Sequence, residues 1–302
     1  FALDAATGFR LETAHTSCEP ETLLLLQASA LRHAKGEYIQ LATAGHLVLI
    51  EIDDPSHFNA LSTEMARDMK AAVEWLTRTA RSDSIASVVV QGSGDHFCPG
   101  GSLHRQQTSS LSFPAAARTS LDLFAGFCQL RTLPVALACA AHGTVLGGGL
   151  ALCLLVDVVI TDLSASFQVG ERSRGIHPAG LLRQTLADAT GSAAATNVHL
   201  TEGRLTGVEA CGMGMVQGLA STARDAQHYA QDIARRCALH HSDAAHVHVL
   251  SSELQRISGI LSLPERRTLA VDALAQVGSF IAGADDSGGN GGDMALECAD
   301  AS

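Results

Sequence analysis

The sequence is most informative at first for what it has little of. Lysine is nearly absent: Lys35 and Lys70 are the only two among twenty basic residues. With a net charge of −11 and no Lys/Arg run longer than a pair, a basic nucleic-acid surface is excluded. Any anionic group would be held by arginine or by backbone N–H groups. Aromatic residues make up only 4% of the chain. Its core is therefore built from Ala, Val, Leu and Gly, which suits close packing of helices on sheets. There is no CxxC pair among the eight cysteines, Cys18, Cys98, Cys128, Cys139, Cys153, Cys211, Cys237 and Cys298. Several lie in apolar runs, such as Ala138-Cys139-Ala140 and Leu152-Cys153-Leu154. They read as buried thiols of a reducing compartment rather than a disulfide frame or zinc site. No apolar stretch is long enough to span a bilayer, and no secretory signal is visible. The expectation is a soluble intracellular protein of the cytoplasm or an organelle matrix, without a membrane partner. The chain starts at Phe1, which reads as an excised or processed piece of a longer polypeptide.

What is present is an alternation of strand and helix signals. His46 to Ile52 reads as a strand. Ser62 to Thr79 reads as a helix with Ser62 as its N-cap and Glu64 in the first turn. Ala86 to Gln91 is a second strand, ended by Gly92-Ser93-Gly94-Asp95, and a helix follows over Ala115 to Leu130. Pro134 opens a third strand, Val135 to Ala140. A glycine-rich turn, a short helix from Gly148 to Leu155 and a fourth strand from Val156 to Thr161 come next. This order predicts an α/β fold with mostly parallel pairing. From Ala223 to Leu274 the pattern is helical, with Ala226, Tyr229, Ala230, Ile233 and Ala234 on one face. The expected organisation is an unassigned N-terminal extension over 1–38, a core over 39–222, C-terminal helices over 223–280, and a Gly/Asp/Ser-rich linker or disordered tail over 281–302.

Two glycine-rich turns carry the candidate chemistry. One is His96-Phe97-Cys98-Pro99-Gly100-Gly101-Ser102-Leu103, just after the second strand. The other is His142-Gly143-Thr144-Val145-Leu146-Gly147-Gly148-Gly149-Leu150-Ala151, between the third strand and a helix. Either alone is compatible with a tight loop that binds nothing. Neither matches the GxxxxGK[ST] or GxGxxG phosphate patterns. Glycines at a helix start leave N–H groups free for a ligand, with the positive end of the helix dipole behind them. Two such turns at neighbouring strand ends can aim two N–H groups at one oxygen, the arrangement of an oxyanion hole.

Taken together, these segments resemble the crotonase superfamily, the enoyl-CoA hydratases, isomerases and their relatives. The resemblance runs from His46 to Ala220. It includes Asn59-Ala60-Leu61, Phe97 to Leu103, Leu133-Pro134-Val135 leading to His142-Gly143, Gly147-Gly148-Gly149, Val156-Asp157-Val158-Val159, Phe167 to Pro178, and Leu205-Thr206-Gly207. It implies a β/β/α spiral core with a C-terminal helical region, assembled as a homotrimer or hexamer. It also implies an acyl-CoA or acyl-carrier-protein substrate. No separate cofactor is implied, because coenzyme A or phosphopantetheine is part of the thioester. The N–H groups of Gly101 and Gly148 are implied as oxyanion donors, with Ala60, Gly101, Ser102, Leu103, His104 and Gly148 along the substrate. The family's hydratases use two glutamates. The first falls here on Ala151; the second falls on Glu171, four residues after Phe167.

That substitution has chemical meaning. Adding water across a double bond uses two carboxylates, whereas moving a double bond needs one base and an oxyanion hole. The expectation is an enoyl-thioester isomerase with Glu171 as its acid/base. Two alternatives stay open. One is a decarboxylase or dehydratase of polyketide β-branching acting on a carrier-bound substrate, which the small Ser102 and the absence of the first glutamate resemble; there His104 is a candidate proton donor. The other is a non-catalytic scaffold. Glu171 also adjoins Arg172 and Arg174 and would serve equally as a structural ion-pair site. His240, His241, His246 and His248 suggest a metal cluster only by count, and no metal is expected.

Overall fold

The structure, a computed structural model, describes residues 36–80, 85–101, 113–133 and 135–239, with isolated helical positions at 271, 274 and 275. Ser102, Leu103 and His104, Pro134, the histidines at 240–248 and both chain ends lie outside the described residues.

The main sheet is built from β1 (Ile39–Ala44), β2 (Leu47–Ile52), β3 (Ser87–Gly92), β4 (Ala136–Ala141), β6 (Val158–Asp162) and β9 (Gly218–Ala220), side by side in that order. β1 pairs antiparallel with β2, and every other neighbour is parallel. A second, small sheet holds β5 (Thr144–Leu146), β7 (Ser166–Gln168) and β8 (Leu205–Thr206). The helices are α1 (Thr63–Ala80), α2 (Phe113–Cys128), α3 (Gly148–Cys153), α4 (Leu182–Thr190), α5 (Ser192–Thr201), α6 (Gly207–Gly212) and α7 (Ala223–Leu239).

β3 is buried along its whole length, as a parallel strand covered on both faces must be. Its side chains alternate between two cores. Val88 and Val90 face the larger one, with Ile50, Leu137 and Cys139 and the helix residues Met65, Met69, Leu76 and Phe127. Val89 faces the smaller one, with Ala138, Ala140 and Ile160 against Ala226, Ala230 and Ala234 of α7. Those three alanines recur every four residues, so α7 lays one narrow stripe on the sheet. Hydrogen bonds tie it down: Ser87 Oγ donates to the Ala234 carbonyl (2.8 Å), Gln231 Nε2 to Gln91 Oε1 (3.3 Å), and Gln227 Nε2 to the Gly92 carbonyl (3.4 Å).

α1 starts where its cap predicts, since the Met65 N–H donates to Ser62 Oγ (3.1 Å). The fourth strand begins two residues later than its apolar run suggests. Asp157 Oδ2 accepts the Leu137 N–H (2.8 Å), which turns the chain at Val156-Asp157 before β6 can start.

Candidate active site

The two glycine turns meet. The first runs beside β5: the Phe97 N–H donates to the His142 carbonyl (2.9 Å), Cys98 N–H to Thr144 O (3.3 Å), and Leu146 N–H returns to Cys98 O (3.2 Å). Gly149 is required where the second turn crosses the first, because a Cβ there would overlap the Cys98 carbonyl oxygen. Gly100 has φ +92°, and a side chain on it would begin 3.2 Å from the Gly148 nitrogen. The Gly101 nitrogen lies 3.7 Å from where a Gly148 side chain would begin. The Gly101 and Gly148 N–H groups thus sit next to one another. Neither donates to a backbone acceptor among the described residues.

Asn59 and Leu61 hold this pair from one side. Asn59 is fully buried with φ +61°. Its Nδ2 donates to Ser93 O (2.8 Å) and His96 O (2.7 Å), and its Oδ1 accepts the Asp54 N–H (2.8 Å). The Leu61 N–H then donates to Gly100 O (2.8 Å). Ala60, between them, is buried. On the other side His142 Nε2 bonds Gly94 O (2.9 Å), and His96 Nδ1 accepts the Thr144 N–H (3.1 Å). Burial holds the His96 ring below the usual histidine range. These motif residues are struts between loops, which the sequence alone does not reveal.

Glu171 follows β7. The Gly147 N–H donates to Gln168 O (3.0 Å), which joins the second turn to the strand leading into Glu171. Its Oε1 lies 2.9 Å from where a Gly147 side chain would begin, so the carboxylate lies over the peptide preceding Gly148. The residue is 8% exposed, and among the described residues Oε2 has no hydrogen-bond partner. Burial pushes its pKa up to about 7. Repulsion from Glu202 adds to this, while a hydrogen bond to its own backbone and the charge of Arg174 pull the other way. A plain ion-pair site is not what forms. Arg172 Nη1 donates to Leu200 O (2.6 Å), and Arg174 Nη1 donates to Gly170 O. Ala151 is buried, with its Cβ 3.3 Å from where a Gly180 side chain would begin, a point that is 2.9 Å from the Phe124 ring.

The cysteines beside the site are not poised as nucleophiles. Cys98, Cys128, Cys139 and Cys153 are buried free thiols, and burial pushes Cys98 up to about 12. Among the described residues no group of three or more His, Cys, Asp or Glu is placed to hold a metal ion. No helix among them is long and apolar enough to cross a membrane.

A mixed sheet with outer helices, and a pair of backbone N–H groups beside a buried carboxylate, define a crotonase-fold protein. The chain belongs to the enoyl-CoA hydratase/isomerase family, whose profile matches residues 42–281. Among curated relatives it is 31% identical to a protein named probable enoyl-CoA hydratase from Mycobacterium tuberculosis, over 52% of this chain and 60% of that one. It is 26% identical to the probable mitochondrial enoyl-CoA hydratase 2 of Arabidopsis thaliana, over 70% of this chain and 69% of that one. The chain therefore spans less than two thirds of the Mycobacterium relative's length. Its fold is that of the enoyl-CoA hydratase crystal structure from Polaromonas, with a TM-score of 0.65, 25% identity, and coverage of 78% of this chain and 89% of that one. The Bacillus halodurans enoyl-CoA hydratase gives a TM-score of 0.68 at 18% identity, covering 81% and 95%.

Proposed function

We propose that this chain isomerises an enoyl thioester, moving a double bond from the 3,4 to the 2,3 position. The observation that carries this reading is a single buried carboxylate, Glu171, over the Gly147-Gly148 peptide, with only the methyl of Ala151 at the place of the family's first glutamate. The thioester oxygen would accept the Gly101 and Gly148 N–H groups. Those donors are aligned before charge develops, and each is worth about 3–4 kcal/mol to an enolate. Glu171 takes a proton from C2, the electron pair moves into the dienolate held by the two N–H groups, and the same proton is delivered to C4. A pKa of about 7 suits a group that must both accept and return a proton near neutral pH. Hydration would need a second group to activate water, and Ala151 offers none.

The test is incubation with a 3-enoyl-CoA, following the absorbance of the conjugated 2-enoyl thioester. The rate should rise as the pH passes upward through about 7, where Glu171 becomes the carboxylate. Glu171→Gln should lower kcat by about 100-fold or more. Undiminished turnover in that variant would remove Glu171 from the role, and faster hydration of 2-enoyl-CoA than isomerisation would overturn the reaction type. Carbon dioxide release from a carrier-bound glutaconyl group would favour the decarboxylase. Failure to bind any thioester would leave a scaffold.

A further inference from the structure

Glu202 sits in an unexpected conformation. It caps the C-terminus of α5 with φ +48° and ψ 29°, the left-handed region that favours glycine. Gly203 follows immediately, yet the helix stops on the glutamate. A strained non-glycine residue persists when its surroundings hold it, and here the surroundings are the Glu171 loop. Glu202 Oε1 accepts the Arg172 N–H (2.5 Å) and Oε2 accepts the Ser173 N–H (2.8 Å). Gln168 Nε2 donates to the Glu202 carbonyl (2.9 Å), so the same residue also grips β7 just before the loop. Arg172 Nη1 closes the fourth contact on Leu200 O (2.6 Å). One residue thus bonds the chain on both sides of Glu171.

We propose that Glu202 is a positioning residue for Glu171: its carboxylate clamps the two peptide N–H groups that follow Glu171 and holds the acid/base over the Gly147-Gly148 turn. The proposal rests on the isomerase reading for its effect on turnover, but not for the clamp itself. Two charged groups face Glu171, Arg174 from its own loop and Glu202 from the end of α5. Their signs are opposite. Glu202 is in turn faced by His199 of α5, whose ring is half-buried and held below its usual range by burial and by Arg183 of α4. Burial and Arg183 disfavour the charged imidazole, while Glu202 itself favours it. Glu202 raises the proton affinity of Glu171, so loss of its charge moves the Glu171 titration to lower pH.

Two variants test this in the full chain. Glu202→Gly relieves the backbone and removes the clamp; Glu202→Gln keeps one acceptor oxygen and removes the charge. The Glu171 titration is followed by carbon-13 NMR of its carboxyl, with Glu171→Gln identifying the resonance, alongside kcat, KM and the melting temperature. Glu202→Gly should lower kcat about tenfold or more with KM little changed, because the acid/base is misplaced while the thioester still binds. In both variants the Glu171 midpoint should fall below its value of about 7. A merely structural role would lower the melting temperature and leave that midpoint in place. An unmoved midpoint in Glu202→Gln, the variant that keeps the glutamate's shape, overturns the proposal even if Glu202→Gly does not fold. Wild-type protein that turns over no 3-enoyl thioester would defeat the isomerase reading alone, since the titration still decides the clamp.

Discussion

At the scale of single residues, Glu171 is held under two opposing demands. Folding favours its neutral form, because the carboxylate would lie buried with one oxygen unpartnered. The base role proposed for it requires the ionised form. The compromise should be visible in stability. The folded-state pKa, about 7, lies above the ordinary value of 4.5, so the folded protein binds the proton more tightly than the unfolded chain. The contribution is complete below pH 4.5 and is lost as pH rises through about 7, on the order of 3 kcal/mol in all. Glu171→Gln should flatten this slope, which urea denaturation at pH 4.5 and pH 8 would show; an equal slope in both proteins would contradict the burial. Glu202 bears a related cost, since left-handed backbone in a non-glycine residue is worth on the order of 1 kcal/mol. Burial of Glu171 in an apolar acyl pocket, with the raised pKa that follows, is what its place in the family pattern leads one to expect, whereas nothing in the sequence marks the left-handed backbone of Glu202. Phe167, Gly175 and Pro178 place Glu171 in register, but that Arg172 and Arg174 donate to carbonyl oxygens is seen only in the structure.

At the scale of elements, the long helices were the most legible, while β1, as long as β2 and β3 but only partly buried, was not read as a strand. α1 spans five turns, and its buried Met65, Met69, Ala72 and Leu76 recur at helical spacing, so periodicity alone finds it. α7 was readable for the same reason, and β3 as a continuous valine run. β5, β7 and β8 have three, three and two residues, too few to show any period. They form the small sheet that seats the second glycine turn and leads to Glu171. The part of the fold that shapes the candidate site was therefore the part least visible in the sequence. The turns were visible through their glycines, and their convergence was expected, but not the close crossing of Gly149 over the Cys98 carbonyl. That contact gives a sharp expectation. In Gly149→Ala the new methyl would overlap the Cys98 carbonyl, and neither backbone has room to yield. The variant should lose about 2–3 kcal/mol in urea or guanidinium unfolding. Wild-type stability would mean that α3 does not cross the first turn as described.

At the scale of the whole molecule, the central sheet is the common support. β3 and β4 are covered on one face by α7 and on the other by the larger core, and their carboxyl ends feed the two glycine turns. Amides in these strands should exchange with solvent only through global unfolding, while those of α5 and α6, most of whose residues are exposed, exchange through local opening. Hydrogen-exchange mass spectrometry measures this directly. Protection of β3 no greater than that of α6 would show that the sheet is not the stable unit. The alanine stripe of α7 belongs to the same support: Ala226, Ala230 and Ala234 sit against Ala138 and Ala140 of β4.

The meeting of the two glycine turns has a consequence for genetics. The groups they bring together are main-chain atoms, which a codon change removes only by way of proline, whose ring also restricts the backbone. An alanine scan would pass over Gly101 and Gly148 as positions with no side chain to remove, and would score Gly149 as a folding defect. Only replacing the amide by an ester, one peptide bond at a time, would delete a donor while leaving the shape intact. In a mutational map of this protein, the proposed site would be drawn by its outline: Asn59, Glu171 and Glu202.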